Sequence, residues 1–466
     1  MKSDLQRAFS QRRPIVKDFV TSQRQNSRKI PRIYDVNLVV IPALVLAAMF
    51  FNAALCLINT KLTAISSAHV VGAEILLISI SFVVSNRSFN YLNLGLIIGT
   101  IMYCLTLALI RAFFSSTQDI DIKVIRDFLI PITFFMLGTQ VTDLKAADRT
   151  VWCAIVLVAP LALLEYFYLD IFLQYFDIVH YYIMRGTLQA SKQVLLASGN
   201  LMVSGIRPQG QGRELFSFLG DHRVSSIFLE PIGLACFGII TFMWGIVRSR
   251  SEHRFRFGLL SAGLLFIILA DSRFGALFSI FILLLTMLPP RISTIAAAIL
   301  PGAAITALVI SGLLMHNFPA EVENTTSGRL IYSAQVLTEF DFFHWLGFKV
   351  SDLQTFDAGY GYIISNIGLF GLAVFWYIVM SIHGPSREFI LFRNASAAYF
   401  AAMSCIGQAQ FTIKTASLLW FLLGVLSVAR GDNPIVAKKL YRSQRQAPFA
   451  PPAPIGRDAI SANRLV

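Results

Sequence analysis

Seven ionisable residues stand where long apolar runs start or break. They are Arg223 in HRVSSIFLEP, Glu230 seven residues on, Arg273 in ADSRFGA, Arg329 in TTSGRLIYS, Lys349 in GFKVS, Asp357 in FDAGYGY and Lys414 in TIKT. Charge at membrane depth costs several kcal/mol and normally faces a cavity or a partner. Arginine offers a planar fork of donors suited to phosphate or carboxylate, and it stays charged in apolar surroundings. Tyr360 stands three residues after Asp357. The chemistry these residue types suit is the binding of an anion such as phosphate or carboxylate.

Each residue also has a plainer reading that the sequence leaves open. Arg223 can snorkel at an interface, and Arg273 can form a structural ion pair with Asp271. Arg329 can belong to an ordinary helix start capped by Ser327, and Asp357 can be a helix N-cap. Glu230 beside Pro231 can mark a kink. Tyr360 and Tyr362 can belong to an interfacial aromatic belt.

Other chemistries find no motif. HExxH, GxSxG, a Walker loop and paired CxxC are absent from the sequence. The seven histidines are scattered without metal-ligand spacing, so no metal or other cofactor is expected. DID at 119–121 reads as a solvated loop. Cys56, Cys104, Cys153, Cys236 and Cys405 lie within apolar segments and read as small core hydrophobes.

Positioning these residues falls to apolar segments. Of 466 residues, 56% are hydrophobic and only 14% charged, and the mean hydropathy is +0.65. Too little charge is present to cover a soluble domain of this size. Apolar runs of about 20 residues recur, long enough to cross a hydrocarbon core. The expected fold is an all-α polytopic integral membrane protein with about twelve transmembrane helices. The spans fall near 36–58, 65–84, 92–114, 124–142, 151–172, 224–247, 257–270, 274–288, 293–314, 359–382, 395–411 and 414–430. The seventh and eighth are short and share the break DSR.

Residues 1–35 and 431–466 form basic tails, the second containing proline, on either side of the membrane domain 36–430. The net charge of +13 is concentrated in these tails and in short loops such as RSRSEHRFR. That is the cytoplasmic bias of membrane topology, with attraction to anionic membrane lipid, and not a nucleic-acid surface. Both termini are expected in the cytoplasm, with the first span as an uncleaved anchor. Two long extracytoplasmic loops, about 173–223 and 315–358, then hold the working face. The first is expected to carry an amphipathic helix followed by Gly-rich turns. No internal repeat is visible, and the first four spans carry little interior charge; both features weigh against a transporter.

In order along the chain, HRVSSIFLEP (222–231), LADSRFGALFSI (269–280), TSGRLIYSAQVL (326–337) and DAGYGYIISNIGLFG (357–371) resemble the Wzy/O-antigen polymerase and ligase superfamily of GT-C-type membrane glycosyltransferases. The resemblance covers roughly 200–382. It implies action on the outer face of the bacterial inner membrane on an undecaprenyl-diphosphate-linked oligosaccharide, with the diphosphate as leaving group. It further implies that Arg223 and Arg273 bind that diphosphate without a metal, that Arg329 assists, that Asp357 takes a proton from the acceptor hydroxyl or orients it, and that the Tyr360 ring stacks on a sugar face. Asp357 and Arg273 are then the catalytic candidates, and Arg223, Arg329, Tyr360 and Glu230 the substrate-binding ones. Ligases of this family carry a histidine where this chain has Asp357, so the departure favours a polymerase and leaves Asp341 and Asp352 as competing carboxylates. A ligase and a flippase or transporter of the same lipid-linked units remain the alternatives. A chain-length regulator and export proteins are the protein partners the resemblance leaves open.

Overall fold

The computed structural model describes residues 33–85, 91–114, 122–188, 201, 205, 213–248, 253–315, 326–351, 353, 355 and 357–429. The predicted tails up to residue 32 and from residue 430, the DID loop, Asp352 and the later part of the expected amphipathic helix lie outside them. The described residues are helical and contain no strand.

Five long helices come first: α1 (Ile33–Lys61), α2 (Ser67–Ser85), α3 (Tyr91–Phe114), α4 (Ile122–Thr139) and α5 (Leu144–Phe167). The short α6 (Leu169–Tyr175) and α7 (Ile178–Met184) follow, around the start of the stretch read as the first long loop. Next come α8 (Pro231–Val247), α9 (His253–Leu269), α10 (Arg273–Met287) and α11 (Pro290–Leu314). The second loop contributes α12 (Thr326–Thr338) and α13 (Phe342–Trp345), and α14 (Gly359–Ser381), α15 (Arg387–Met403) and α16 (Ile413–Val428) complete the unit. A helix thus lies on each predicted apolar segment. Among the described residues, six helices are long and apolar enough to cross a membrane: Val39–Lys61, Ser67–Ser85, Leu94–Phe113, Leu144–Phe167, Pro290–Leu314 and Gly359–Ser381. The chain is a helical membrane protein.

Three helix starts lie seven or more residues from the sequence reading: α5, expected from 151, begins at Leu144, and the other two have clear local causes. The helix expected from 224 starts at Pro231, which stands at its first turn where a missing N–H costs nothing. Before it, Ser226–Phe228 make a tight 3-10 turn, with Ser226 and Leu229 at φ 50° and 61°. The stretch read as an inner loop around Arg387 is helical. Ser386 caps it by accepting from the Phe389 amide at 3.1 Å. Buried Arg393 donates to the carbonyls of Met380 and Ile382, at 2.9 and 3.0 Å, and so satisfies the end of α14.

Close helix packing rests on small residues, as is usual where apolar lipid removes the ordinary hydrophobic drive. A Cβ on Gly238 of α8 would lie 2.8 Å from the Gly263 carbonyl of α9, and the converse holds for Gly263. A Cβ on Gly138 of α4 would strike the Phe421 carbonyl of α16, and one on Gly424 of α16 the Phe135 carbonyl of α4. One helix is broken inside: Gly368 of α14 sits at φ 68°, ψ 169°, a conformation open only to glycine. Partners on α3 satisfy the carbonyls around the break. Tyr103 donates to Ile367 O at 2.8 Å and Arg111 to Asn366 O at 3.1 Å.

Of the cysteines, Cys56, Cys104 and Cys236 are buried as expected, whereas Cys153 faces outward.

Candidate functional site

The six predicted site residues fall into three groups, with Tyr360 apart. The first group surrounds the break between α9 and α10. The two helices cannot run on through Ala270–Ser272, because Asp271 takes φ 51° and Ser272 caps α10 by accepting from Gly275 N at 3.0 Å. Arg223 donates from Nε to the Ala270 carbonyl at 3.1 Å, while Val224 N reaches Leu269 O at 3.0 Å. The HRVSS segment is thereby stitched to the end of α9. Arg273, the first residue of α10, forms an ion pair with Glu214 and keeps 39% of its side chain exposed. The Arg273–Asp271 pair open in the sequence does not form this way. Asp271 is buried and accepts instead from the amides of Glu214 and Leu215, at 3.1 and 2.9 Å.

Besides Glu214, two members of this group went unnoticed in the sequence. Arg213 is 2% exposed, although GIRPQGQGRE reads as mere turns. Its guanidinium donates to the carbonyls of His222 (2.7 Å from Nε) and Ile268 (3.3 Å), and lies over the Tyr166 ring at 5.3 Å. Burial pulls its pKa below the ordinary value, against the opposing pull of Asp271. Glu165, fully buried at the end of α5, accepts from Ser225 N at 2.9 Å, Ser225 Oγ at 2.9 Å and the Ser226 amide, with His222 Nε2 at 3.1 Å. A lone glutamate in ALLEYF was the available signal, since an ionisable group ending an apolar helix demands a partner. Arg213 and Arg223 thus donate to the carbonyls of Ile268 and Ala270, and Arg273 stands three residues beyond, with Glu165, Glu214 and Asp271 holding their frame.

The second group joins the second loop to α14. Arg329 Nη1 lies 3.2 Å from Asp357 Oδ1, with 21% and 44% of the two side chains exposed. Ser333 Oγ donates to the Asp357 carbonyl at 3.1 Å. Asp357 does not cap α14, whose N-cap position is Ala358 with no side-chain hydrogen bond. Burial and the neighbouring Asp357 and Glu339 carboxylates raise the pKa of Tyr332, so a phenolic O–H stands near this carboxylate at neutral pH. The alternative carboxylate Asp341 is engaged otherwise. It caps α13 in a reciprocal box with His344 and lies 3.6 Å from Lys349.

The third group centres on Glu230. Tyr182 donates to Glu230, while Lys414 lies 3.4 Å from its second oxygen and donates to the Phe228 carbonyl at 2.8 Å. No kink is involved, because Pro231 opens the helix. This lysine ties the start of α16 to the HRVSSIFLEP segment.

Tyr360 belongs to the core. Its ring is fully buried, its hydroxyl has no hydrogen-bond partner, and its amide donates to Ser404 O at 2.8 Å. A ring so enclosed has no face to offer a sugar.

One further network contradicts the reading of sparse charge in the first four spans. Glu74 of α2 and Asp127 of α4 both pair with Arg126. Tyr362 donates to Asp127 Oδ2 at 2.8 Å, and Lys123 lies 5.2 Å over the Tyr362 ring. Lys123, Arg126 and Asp127 crowd the first turns of α4, where the apolar run following them hid their burial. Among the described residues, no group of three or more His, Cys, Asp or Glu side chains is placed to hold a metal ion. No protein-family model, curated protein or solved structure matches this chain.

Proposed function

We infer that the protein is a polysaccharide polymerase joining undecaprenyl-diphosphate-linked oligosaccharide repeat units at the outer face of the bacterial inner membrane. Twelve helices cross the membrane in this reading, with both termini in the cytoplasm and the two long loops outside. The observation that carries the proposal is the convergence of Arg213, Arg223 and Arg273 on the break at 268–273, beside a loop carboxylate that an anion can displace. The resemblance of four ordered motifs supplies the substrate class.

In the reaction, an acceptor hydroxyl attacks the anomeric carbon of the donor saccharide, and the bond from that carbon to the diphosphate oxygen breaks. The diphosphate leaves with the bonding electrons. Arg273, released from Glu214, and Arg223 stabilise that growing charge, which is worth most in a water-poor site. Asp357, oriented by Arg329 at 3.2 Å, takes the hydroxyl proton. Arg213 is a positioning residue, since its donors go to backbone carbonyls.

The network of Glu74, Arg126, Asp127 and Lys123 favours a second reading, a flippase of the same lipid-linked units, because charge across several helices is what a transport path requires. The deciding experiment follows lipid-linked saccharides by length and sidedness in cells lacking the protein and in cells carrying Asp357→Ala or Arg273→Ala. Single units exposed on the outer face in all three strains support the polymerase. Long chains retained on the carrier overturn it in favour of a ligase, and single units trapped on the inner face overturn it in favour of a flippase.

A further inference from the structure

A groove of about 430 Å³ runs between α3, α4 and α14 and is lined by no residue of the three groups above. Its walls are almost wholly apolar. Along α14 the lining runs from Ile367 to Ile382, about 22 Å at the helical rise, more than the roughly 15 Å depth of one leaflet. The α3 wall is cut low by Gly95 and Gly99, and a Cβ added at either meets nothing within 4 Å. Phe128, Phe375 and Trp420 contribute aromatic lining.

Cations stand at one end. Arg111 follows the lining residues of α3 and bonds the Asn366 side chain and carbonyl, both at 3.1 Å, next to Ile367 where the groove begins. One turn earlier on α14, Tyr362 carries Lys123 over its ring at 5.2 Å. An apolar slot with two positive groups at its mouth complements an amphiphile with a hydrocarbon chain and an anionic head. Size decides between amphiphiles. With water-sized units at about 30 Å³ in bulk, or about 15 Å³ as occupied cavity space, the slot holds on the order of 14 to 30 methylene-sized groups. That suits one or both acyl chains of a phospholipid and is too small for an undecaprenyl chain.

We propose that this groove is a binding site for an anionic phospholipid, with an acyl chain along Gly95, Gly99 and α14 and the phosphate between Arg111 and Lys123. The site is separate from the polymer-forming groups and does not depend on their assignment.

The test uses the full chain, purified in detergent, exchanged into nanodiscs of equal phosphatidylglycerol and phosphatidylcholine, then released for native mass spectrometry. The wild type is expected to retain phosphatidylglycerol in preference to phosphatidylcholine. Gly99→Phe, whose Cβ has nothing within 4 Å and whose ring would occupy the slot, should lower retained lipid at least tenfold with an unchanged thermal midpoint. Lys123→Gln should keep the lipid but cut the preference for the anionic head about fivefold. Should Gly99→Phe shift the midpoint, Gly95→Leu is read in its place. Wild-type retention in the filled variant, or equal retention of the two phospholipids by the wild type, overturns the proposal. So does displacement of phosphatidylglycerol by added undecaprenyl phosphate.

Discussion

Glu165 is the residue on which the arginine cluster rests. Its carboxylate meets two consecutive amides, a hydroxyl and an imidazole of the segment 222–226, in a place with no solvent access. Removing it strands buried donors, and each such group costs about 1–3 kcal/mol. Glu165→Ala is expected to lose about 2–4 kcal/mol, read as a lowered unfolding midpoint in detergent, with Glu165→Gln losing less because the amide oxygen still accepts. Arg273 gives the complementary prediction. Arg273→Lys keeps the charge but not the fork, so polymer should fall at least tenfold if two-bond phosphate binding operates. Full polymer yield in that variant removes Arg273 from the leaving-group role. Glu214→Gln weakens the hold on Arg273 and should raise affinity for the lipid-linked donor in a binding assay. Affinity unchanged or lowered would show that Glu214 does more than occupy the anion's place.

At the scale of the element, the break in α14 offers the sharpest test. Gly368 holds a conformation that any side chain resists, and a Cβ there would also lie 2.5 Å from the Leu346 carbonyl. Gly368→Ala should cost at least about 1–3 kcal/mol and shift the thermal midpoint downward. The short α13 gives a prediction in pH. Hydrogen bonds from His344 hold the Asp341 carboxyl below its usual range. Such a depressed carboxylate stabilises the cap above its unfolded pKa and loses that contribution as pH falls through the folded one. Protection factors over 342–345, taken against the intrinsic exchange rate at each pH, should therefore hold steady from neutral pH downward and fall only in acid below the ordinary carboxylate range.

These elements also mark what could be read in advance. Helices lie on every segment the apolar runs picked out, because burial in lipid writes itself into about 20 consecutive residues. The starts at Pro231 and Arg387 were misplaced because capping and backbone geometry decide them, not hydropathy. Arg223, Arg273, Arg329 and Asp357 were legible as charges out of place. Glu214, Arg213 and Glu165 were not, their contacts to Arg273, Ile268 and Ser226 spanning 55 to 61 positions and made only by packing.

For the molecule as a whole, the proposed orientation makes a plain claim about sides. Single cysteines at Asp221, Phe343 and Ser386, placed in a variant lacking the native thiols, should react differently with a membrane-impermeant maleimide on intact cells. The first two should label and the third should not. Labelling of Ser386→Cys alone would invert the topology and remove the outer-face site with it.

The ionic knot of the N-terminal helices also bears on how the chain enters the bilayer. Lys123, Arg126 and Asp127 lie in α4, which is not among the six helices apolar enough to cross by composition. Charges of this kind oppose partitioning by up to about 2.5–3.5 kcal/mol each at the centre of a span, and by less towards its ends. Glu74, already present on α2 when α4 is synthesised, supplies the counter-charge in advance. Biogenesis then becomes a sequence of dependent steps, with α2 kept close to the translocation site until α4 arrives. Glu74→Ala should leave α4 unintegrated during synthesis and direct the chain to membrane proteolysis, which pulse-labelling against the wild type would detect.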